Sequence, residues 1–266
     1  MAVIHVDDVE PITLDQGELR WTARRRLAAP AGLQRAGLSR FELPPGGRST
    51  PPHVHADEEE ICVVLGGSGV SWQDGRTFAV APGDVLVHGC DAEAHTLIAG
   101  VDGLDVLIFG EGSRTSLTYM PRTKMMWAAK RWIPADGTHP FAADVALGPL
   151  EVPAPGGELP HRRPTTTRLD RVTLDDGETT PAACHTAEES IAWVVDGTGS
   201  VTIGEETTPL RPGSVVGLPA GTGIPHAFTG PLELLVFGTV VPGDAVWFPH
   251  NGEVRVRGLP IALRPA

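Results

Sequence analysis

Displaced by 130 residues, the chain falls on itself. Gly47 meets Gly177, Pro51 meets Pro181, His55 meets His185 and Ile61 meets Ile191. The same offset pairs Val64 with Val194, Gly67 with Gly197, Gly69 with Gly199, and Pro82-Gly83 with Pro212-Gly213. After His95 and His226 the offset slips to 128, which keeps residues 104–110 on residues 232–238 and Pro121 on Pro249. No low-complexity tract produces this match, so the sequence holds two copies of one module.

Each copy reads as β structure. With 32 Gly and 25 Pro in 266 residues, turns are frequent and long helices have little room. Apolar runs are short and branched, as in Val194-Val195 and Val215-Val216. Many short strands between Gly and Pro punctuation predict an all-β sandwich or barrel. The expected division is an N-terminal arm with strands over 1–35, a first domain over 36–137, a connector over 138–165, and a second domain with a C-terminal tail over 166–266. Six prolines from Pro140 to Pro164 make the connector an extended segment lying over the surface.

The densest chemistry lies at His53-Val54-His55 and the acidic run Glu58-Glu59-Glu60. Side chains alternate along a strand, so His53 and His55 share one face. Two imidazoles and a carboxylate are donors that divalent transition metals prefer. A surface loop with two solvated histidines is the plain alternative. His95, entering from another strand beyond the Pro82-Gly83 turn, completes a set of His53, His55, Glu60 and His95. His88 competes for the third imidazole position but belongs to the preceding strand end.

These residues resemble the cupin family. Gly47-x5-His53-x-His55-x4-Glu60-x6-Gly67 satisfies the family's first motif in full. The second motif departs from the pattern: Gly83 is in place, but Gly89 stands where Pro is usual, Asp91 where Gly is usual, and one extra residue precedes His95. The resemblance implies a bicupin, two tandem double-stranded β-helix (jelly-roll) barrels, with the metal on His53, His55, Glu60 and His95. In the family such a ligand set serves dioxygenases, oxalate-processing enzymes, isomerases and plain binding proteins.

The second copy carries Ala183 for His53, His185 for His55, Ser190 for Glu60 and His226 for His95. With two of four donors missing, it reads as a structural or lid-forming module without metal. Strand alternation argues against Glu188 or Glu189 turning inward together with His185. One divalent transition metal per chain is therefore expected, iron or manganese first, with zinc, nickel, cobalt and copper admissible. Four protein donors leave an octahedral ion two open positions, whereas they saturate tetrahedral zinc. The expected activity is a metal-dependent, dioxygenase-like oxidoreductase acting on a small organic molecule. A non-catalytic small-ligand binder with a structural metal, or a metal-dependent isomerase or hydrolase, are the alternatives.

Other residues receive structural readings. Cys62 shares the Glu60 face as a small buried hydrophobe, and Glu58 or Glu59 orients a ligating imidazole or is solvated at the mouth. Met125, Met126 and Trp127 read as core or inter-copy packing, Arg122 and Arg131 stay outside the site, and Arg24-Arg25-Arg26 reads as a solvated face. The net charge of −12 disfavours nucleic acid and anionic membranes as partners. The N-terminus shows no charged segment followed by an apolar one, and no apolar run reaches 18 residues. Three scattered cysteines suggest no disulfide framework and a reducing cytoplasm. A homodimer through sheet edges is a modest expectation.

Overall fold

The computed structural model describes residues 1–90, 92–111, 117–128, 131–134, 137–259 and 262–263. The chain forms two compact units: Met1–Val9, Leu27–Gly37 and Thr165–Ala266 make one, Glu10–Arg26 and Leu38–Pro164 the other. Residues 1–35 are thus shared out between the units, and residues 138–164 belong to the unit that contains His53. No helix among the described residues is long and apolar enough to cross a membrane.

In the His53 unit one sheet runs in the order Ile12–Gln16, Leu19–Arg26, Ala36–Leu43, His95–Glu111, Glu60–Gln73, Arg76–Val80, with Val85–His88 also paired to Glu60–Gln73. A second sheet orders Val54–His55, Thr118–Met120, Met125–Ala128 and Arg131–Ile133. In the other unit a five-stranded sheet runs Ala2–His5, Ser214–Leu218, Ser190–Gly197, Leu232–Thr239, Thr167–Leu174, beside sheets of three and four strands. Each unit is a jelly roll of antiparallel sheets that do not close into a continuous barrel.

The repeat is visible rung by rung. Glu60 pairs with Gly110 as Ser190 pairs with Gly238, and Gly67 with Leu104 as Gly197 with Leu232. The cores correspond too: Cys62, Val64, Leu86, Leu104 and Val106 in one, Ala192, Val194, Val216, Leu232 and Leu234 in the other. Burying each such side chain contributes roughly 1.5–3 kcal/mol, the two small residues less. Gly67 and Gly197 both have positive φ, +77° and +88°, and a Cβ at either would strike the backbone carbonyl of Gly103 or Pro231. The repeated glycines therefore mark a close crossing of two strands.

The proline-rich stretch is not extended throughout. It contains the helix Pro140–Ala146, entered through His139, whose ring accepts from the Phe141 N–H, and started by proline at its first position. Asp144 on this helix is fully buried and holds the guanidinium of Arg48, itself 1% exposed, together with Arg122 at 2.9 Å. Arg122 also donates to the Gly148 carbonyl at 2.9 Å. Further along, Trp72 donates to the Glu151 carbonyl and Thr77 to that of Pro153, at 2.9 and 2.7 Å.

In the other unit, Ala2–His5 pairs antiparallel with Ser214–Leu218. The segment Leu27–Gly37 is latched by Glu189, whose buried carboxylate accepts the backbone N–H groups of Gln34, Arg35 and Ala36 at 3.3, 2.9 and 3.0 Å. Removing a buried acceptor strands its donors at about 1–3 kcal/mol each, less where water can reach them. Glu189→Ala is expected to destabilise this unit by about 2–3 kcal/mol in urea unfolding. Hydrogen exchange should show amides 34–36 losing protection while those of Glu60–Gln73 keep theirs.

Candidate metal centre

His53 and His95 face each other across an isolated antiparallel bridge, with N–H to carbonyl distances of 3.2 and 2.9 Å in the two directions. His55 lies opposite Thr118 on the second sheet, and Glu60 opens the long strand that pairs with His88 and Gly110. One donor atom from each of His53, His55, Glu60 and His95 falls within 4.8 Å of all the others. Glu60 reaches His55 Nε2 at 3.7 Å and His95 Nε2 at 3.4 Å.

The outer ring nitrogens are tied down. His53 Nδ1 donates to the Pro51 carbonyl at 3.1 Å and His95 Nδ1 to that of Glu93 at 3.3 Å. A carbonyl only accepts, so both rings carry their proton on Nδ1 and turn a bare Nε2 inward. His55 Nδ1 meets the Thr118 hydroxyl at 3.2 Å, with Glu58 at 3.8 Å. His95 Nε2 is buried without a hydrogen-bond partner. A buried orphaned lone pair costs free energy unless something accepts it, and a metal ion meets that requirement.

Electrostatics agree. Burial, then the neighbouring His95 and His55, push His53 well below the usual imidazole range, which leaves it neutral. Burial pushes Glu60 up, but the imidazoles of His55 and His95 outweigh it and hold the carboxyl well below its ordinary value. Burial lowers His55, and Glu60 and Glu58 more than compensate, so its pKa rises. The rise at His55 and the fall at Glu60 mark a place where positive charge is stabilised. Bound there, a divalent ion would face three neutral imidazoles and one carboxylate, leaving a net charge near +1.

His88 stacks on His95 at 3.7 Å between ring centroids and only 2° from parallel, outside the group of four. Glu93 lies 3.6 Å from His88 and 2.6 Å from Arg162. His88 therefore backs the ring of His95. Asp91, in the irregular second motif, lies outside the described residues. Cys62 follows Glu60 on the same face and its thiol donates to Glu60 at 3.4 Å.

A cavity of about 180 Å³ opens on the four donors, walled by Phe41, Leu97, Ile108, Cys62 and Arg24 among others. Arg24 is the correction to the solvated-face reading. Only Arg26 of that run is exposed, and Arg25 is paired with Glu42 at 2.6 Å. Leu14 lies opposite Trp21, but Ile12 lies opposite Arg24, one residue beyond regular pairing. This bulge turns Arg24 onto the face of Trp21. Its guanidinium sits 5.3 Å from the Trp21 ring centre and 4.6 Å from that of Phe41. Met125 is buried as expected, whereas Met126 is 40% exposed.

The other unit keeps the bridge, now between Ala183 and His226, but not the donors. Ser190, at the place of Glu60, accepts from Arg168 at 3.0 Å. His185 is drawn instead to Asp244 at 2.6 Å, and Glu188 is held by Arg257. His185, Glu188 and Asp244 do converge, but two guanidinium groups, Arg257 and Arg168 at 4.0 Å, already neutralise Glu188. Alternation along the strand misses this arrangement, since Glu188 and Glu189 precede Ser190–Gly197 and are both buried.

The sequence profile of the cupin domain matches residues 39–100 and 170–238, once in each unit. This chain is a two-copy cupin. A variant of oxalate decarboxylase from Bacillus subtilis superposes on the bicupin with a TM-score of 0.59 at 16% identity, covering 94% of this chain and 79% of that one. The protein Ylba from E. coli gives 0.60 at 10% identity over 90% of both chains. These two show a shared fold and no more. A putative sugar phosphate isomerase from Acidithiobacillus ferrooxidans is 26% identical over 41% of this chain and 74% of its own, with a TM-score of 0.37. No curated protein matches the sequence.

Two measurements check the asymmetry of the bicupin. Elemental analysis is expected to find one metal per chain, near zero in the His53→Ala, His55→Ala double variant, and undiminished in His185→Ala, His226→Ala. The second measurement concerns acid. Burial, and after it the charge of His185, lower His226 to about 4 from the ordinary 6.5. The folded state then binds this proton less well than the unfolded state. Stability from this group is complete above pH 6.5 and falls as pH drops towards 4, by up to about 3 kcal/mol. His226→Gln should flatten that part of the pH–stability curve, and an unchanged slope would remove His226 from the account.

Proposed function

We propose that this bicupin is a metal-dependent oxygenase acting on a small organic molecule at His53, His55, Glu60 and His95. The observation that carries the reading is the cavity wall. Apart from the four donors, the described residues of this wall include no carboxylate, imidazole or lysine. Its Ser49 and Thr96 hydroxyls bond to one another at 3.2 Å, and Thr96 donates to the Thr50 carbonyl at 2.8 Å. Burial, with Glu60 beside it, pushes the Cys62 thiol well above its ordinary value, so it stays protonated. Isomerases and hydrolases rely on a positioned acid or base, and the wall supplies none beyond the donors.

Iron or manganese, which accept six donors, would supply open positions and redox chemistry there. The chain's own contributions are positional. Glu60 stays ionised at neutral pH, and the Pro51 and Glu93 carbonyls fix the tautomers of His53 and His95. Phe41, Leu97 and Ile108 keep the cavity apolar and restrict water.

An oxygen electrode tests the reading on iron- or manganese-loaded protein offered a panel of small organic acids. Oxygen uptake that requires both the organic acid and intact His53 and His55 is expected. Conversion that proceeds equally under argon would replace the oxygenase by an isomerase or hydrolase. Binding of a panel member without any conversion would leave a ligand-binding cupin.

A further inference from the structure

The cavity at the donors, about 180 Å³, falls short of the roughly 300–1,000 Å³ of ordinary ligand pockets. A second hollow of about 620 Å³ adjoins it within the same unit. Arg24 lines both. Thr118, in the wall of the larger hollow, is the residue that holds His55 Nδ1. Trp21, also in that wall, meets Phe41 of the smaller one edge to face at 5.3 Å.

The larger hollow is aromatic. Trp127 and Trp132 lie 5.0 Å apart across neighbouring strands, and Phe141 from the short helix meets Trp21 at 5.9 Å. Such surfaces take planar rings by offset or edge contact, worth about 0.5–1.5 kcal/mol per pair beyond area burial. Hydroxyl-rich sugars need a polar partner for each hydroxyl they bury; the walls offer Thr13, Arg26, Thr118 and His139 besides Arg24, and the His139 ring already accepts from the Phe141 N–H. The Thr118 hydroxyl already meets His55.

Arg24 stands between the two spaces as a cation with no salt bridge or hydrogen-bond acceptor among the described residues; Glu60, in the wall of the smaller cavity, acts on it only through its charge, and its Nε is buried and unpartnered. Its guanidinium lies against two aromatic faces. Burial and the nearby Arg26, opposed by Glu60, lower it to about 10, so it remains charged at neutral pH. A largely desolvated guanidinium without a hydrogen-bonded counter-ion is costly, and a ligand carboxylate relieves the cost with two parallel hydrogen bonds.

The geometry points to an aryl carboxylate as the substrate class, with its carboxylate on Arg24 and its ring against Trp127, Trp132 and Phe141. This deepens the proposed function by naming what enters the same site, and it rests on that reading for the reaction but not for binding. Arg24 is then a binding anchor that sets which end of the molecule faces the four donors.

Calorimetry with 2-naphthoate on both metal-free and metal-loaded protein tests the proposal. Native protein is expected to bind it, at least tenfold tighter than the neutral 2-naphthalenemethanol and the sugar acid glucuronate. Arg24→Met and Trp132→Ala should each weaken 2-naphthoate at least tenfold, with metal content unchanged. Arg24→Gln serves as a second variant should Arg24→Met lose its fold. Undiminished affinity in the Arg24 variant, tighter binding of glucuronate, or no binding by native protein would each overturn the proposal. Binding of 2-naphthoate by protein that takes up no metal on loading would sink the oxygenase and leave the aryl carboxylate site standing. Metal and oxygen chemistry without 2-naphthoate binding would do the reverse.

Discussion

Two backbone hydrogen bonds between residues 53 and 95 hold the site together. They set the Cα atoms of two donors opposite each other before any side chain is considered. The outer nitrogens of those rings then find the carbonyls of Pro51 and Glu93, two residues upstream in each case. Each histidine is thus oriented by its own local chain, and the pair by the rung between them. Glu60 needs only to begin its strand at the right height, which its pairing with His88 and Gly110 secures. Local geometry supplies orientation, and the sheet supplies distance.

The other unit shows how little of this frame depends on the four donors. The same rung forms between Ala183 and His226, at 3.1 and 3.0 Å, although one side chain has shrunk to a methyl group. What changed is the fate of the charges. Where Glu60 faces imidazoles, Ser190 faces a guanidinium, and His185 has turned to Asp244. Cation and carboxylate now satisfy each other inside the protein. The His53 unit leaves its negative charge and its imidazole lone pairs facing one point, and the unbonded guanidinium of Arg24 facing a hollow.

Much of this is legible in the sequence because strands impose a strict period. The 130-residue offset survives as a register of rungs, and His53-x-His55 with Glu60 converge because alternation and spacing leave little choice. His95 is legible despite its irregular motif, since the extra residue falls in the loop before the strand. Arg24 is not legible. One bulge residue reverses alternation, and nothing in Arg24-Arg25-Arg26 tells which arginine turns inward. Asp244 and Asp144 are hidden for another reason: their partners, His185 and Arg48, lie far away in sequence. The latch of Glu189 on amides 34–36 is hidden likewise, because backbone donors carry no side-chain signature.

The pairing of Ala2–His5 with Ser214–Leu218 has a consequence for how the chain is made. Ala2–His5 leaves the ribosome well ahead of its neighbour and cannot pair until about 210 further residues have followed. At about 5–20 residues per second that delay is on the order of ten to forty seconds. Meanwhile Glu10–Arg26 and Leu38–Pro164 are complete and free to collapse around their own core. Val3 and Ile4 wait throughout as an unpaired edge, the kind of segment that associates with other chains. The unit that carries the four converging donors is finished first, and Ala2–His5, made before it, is among the last pieces to be set in place.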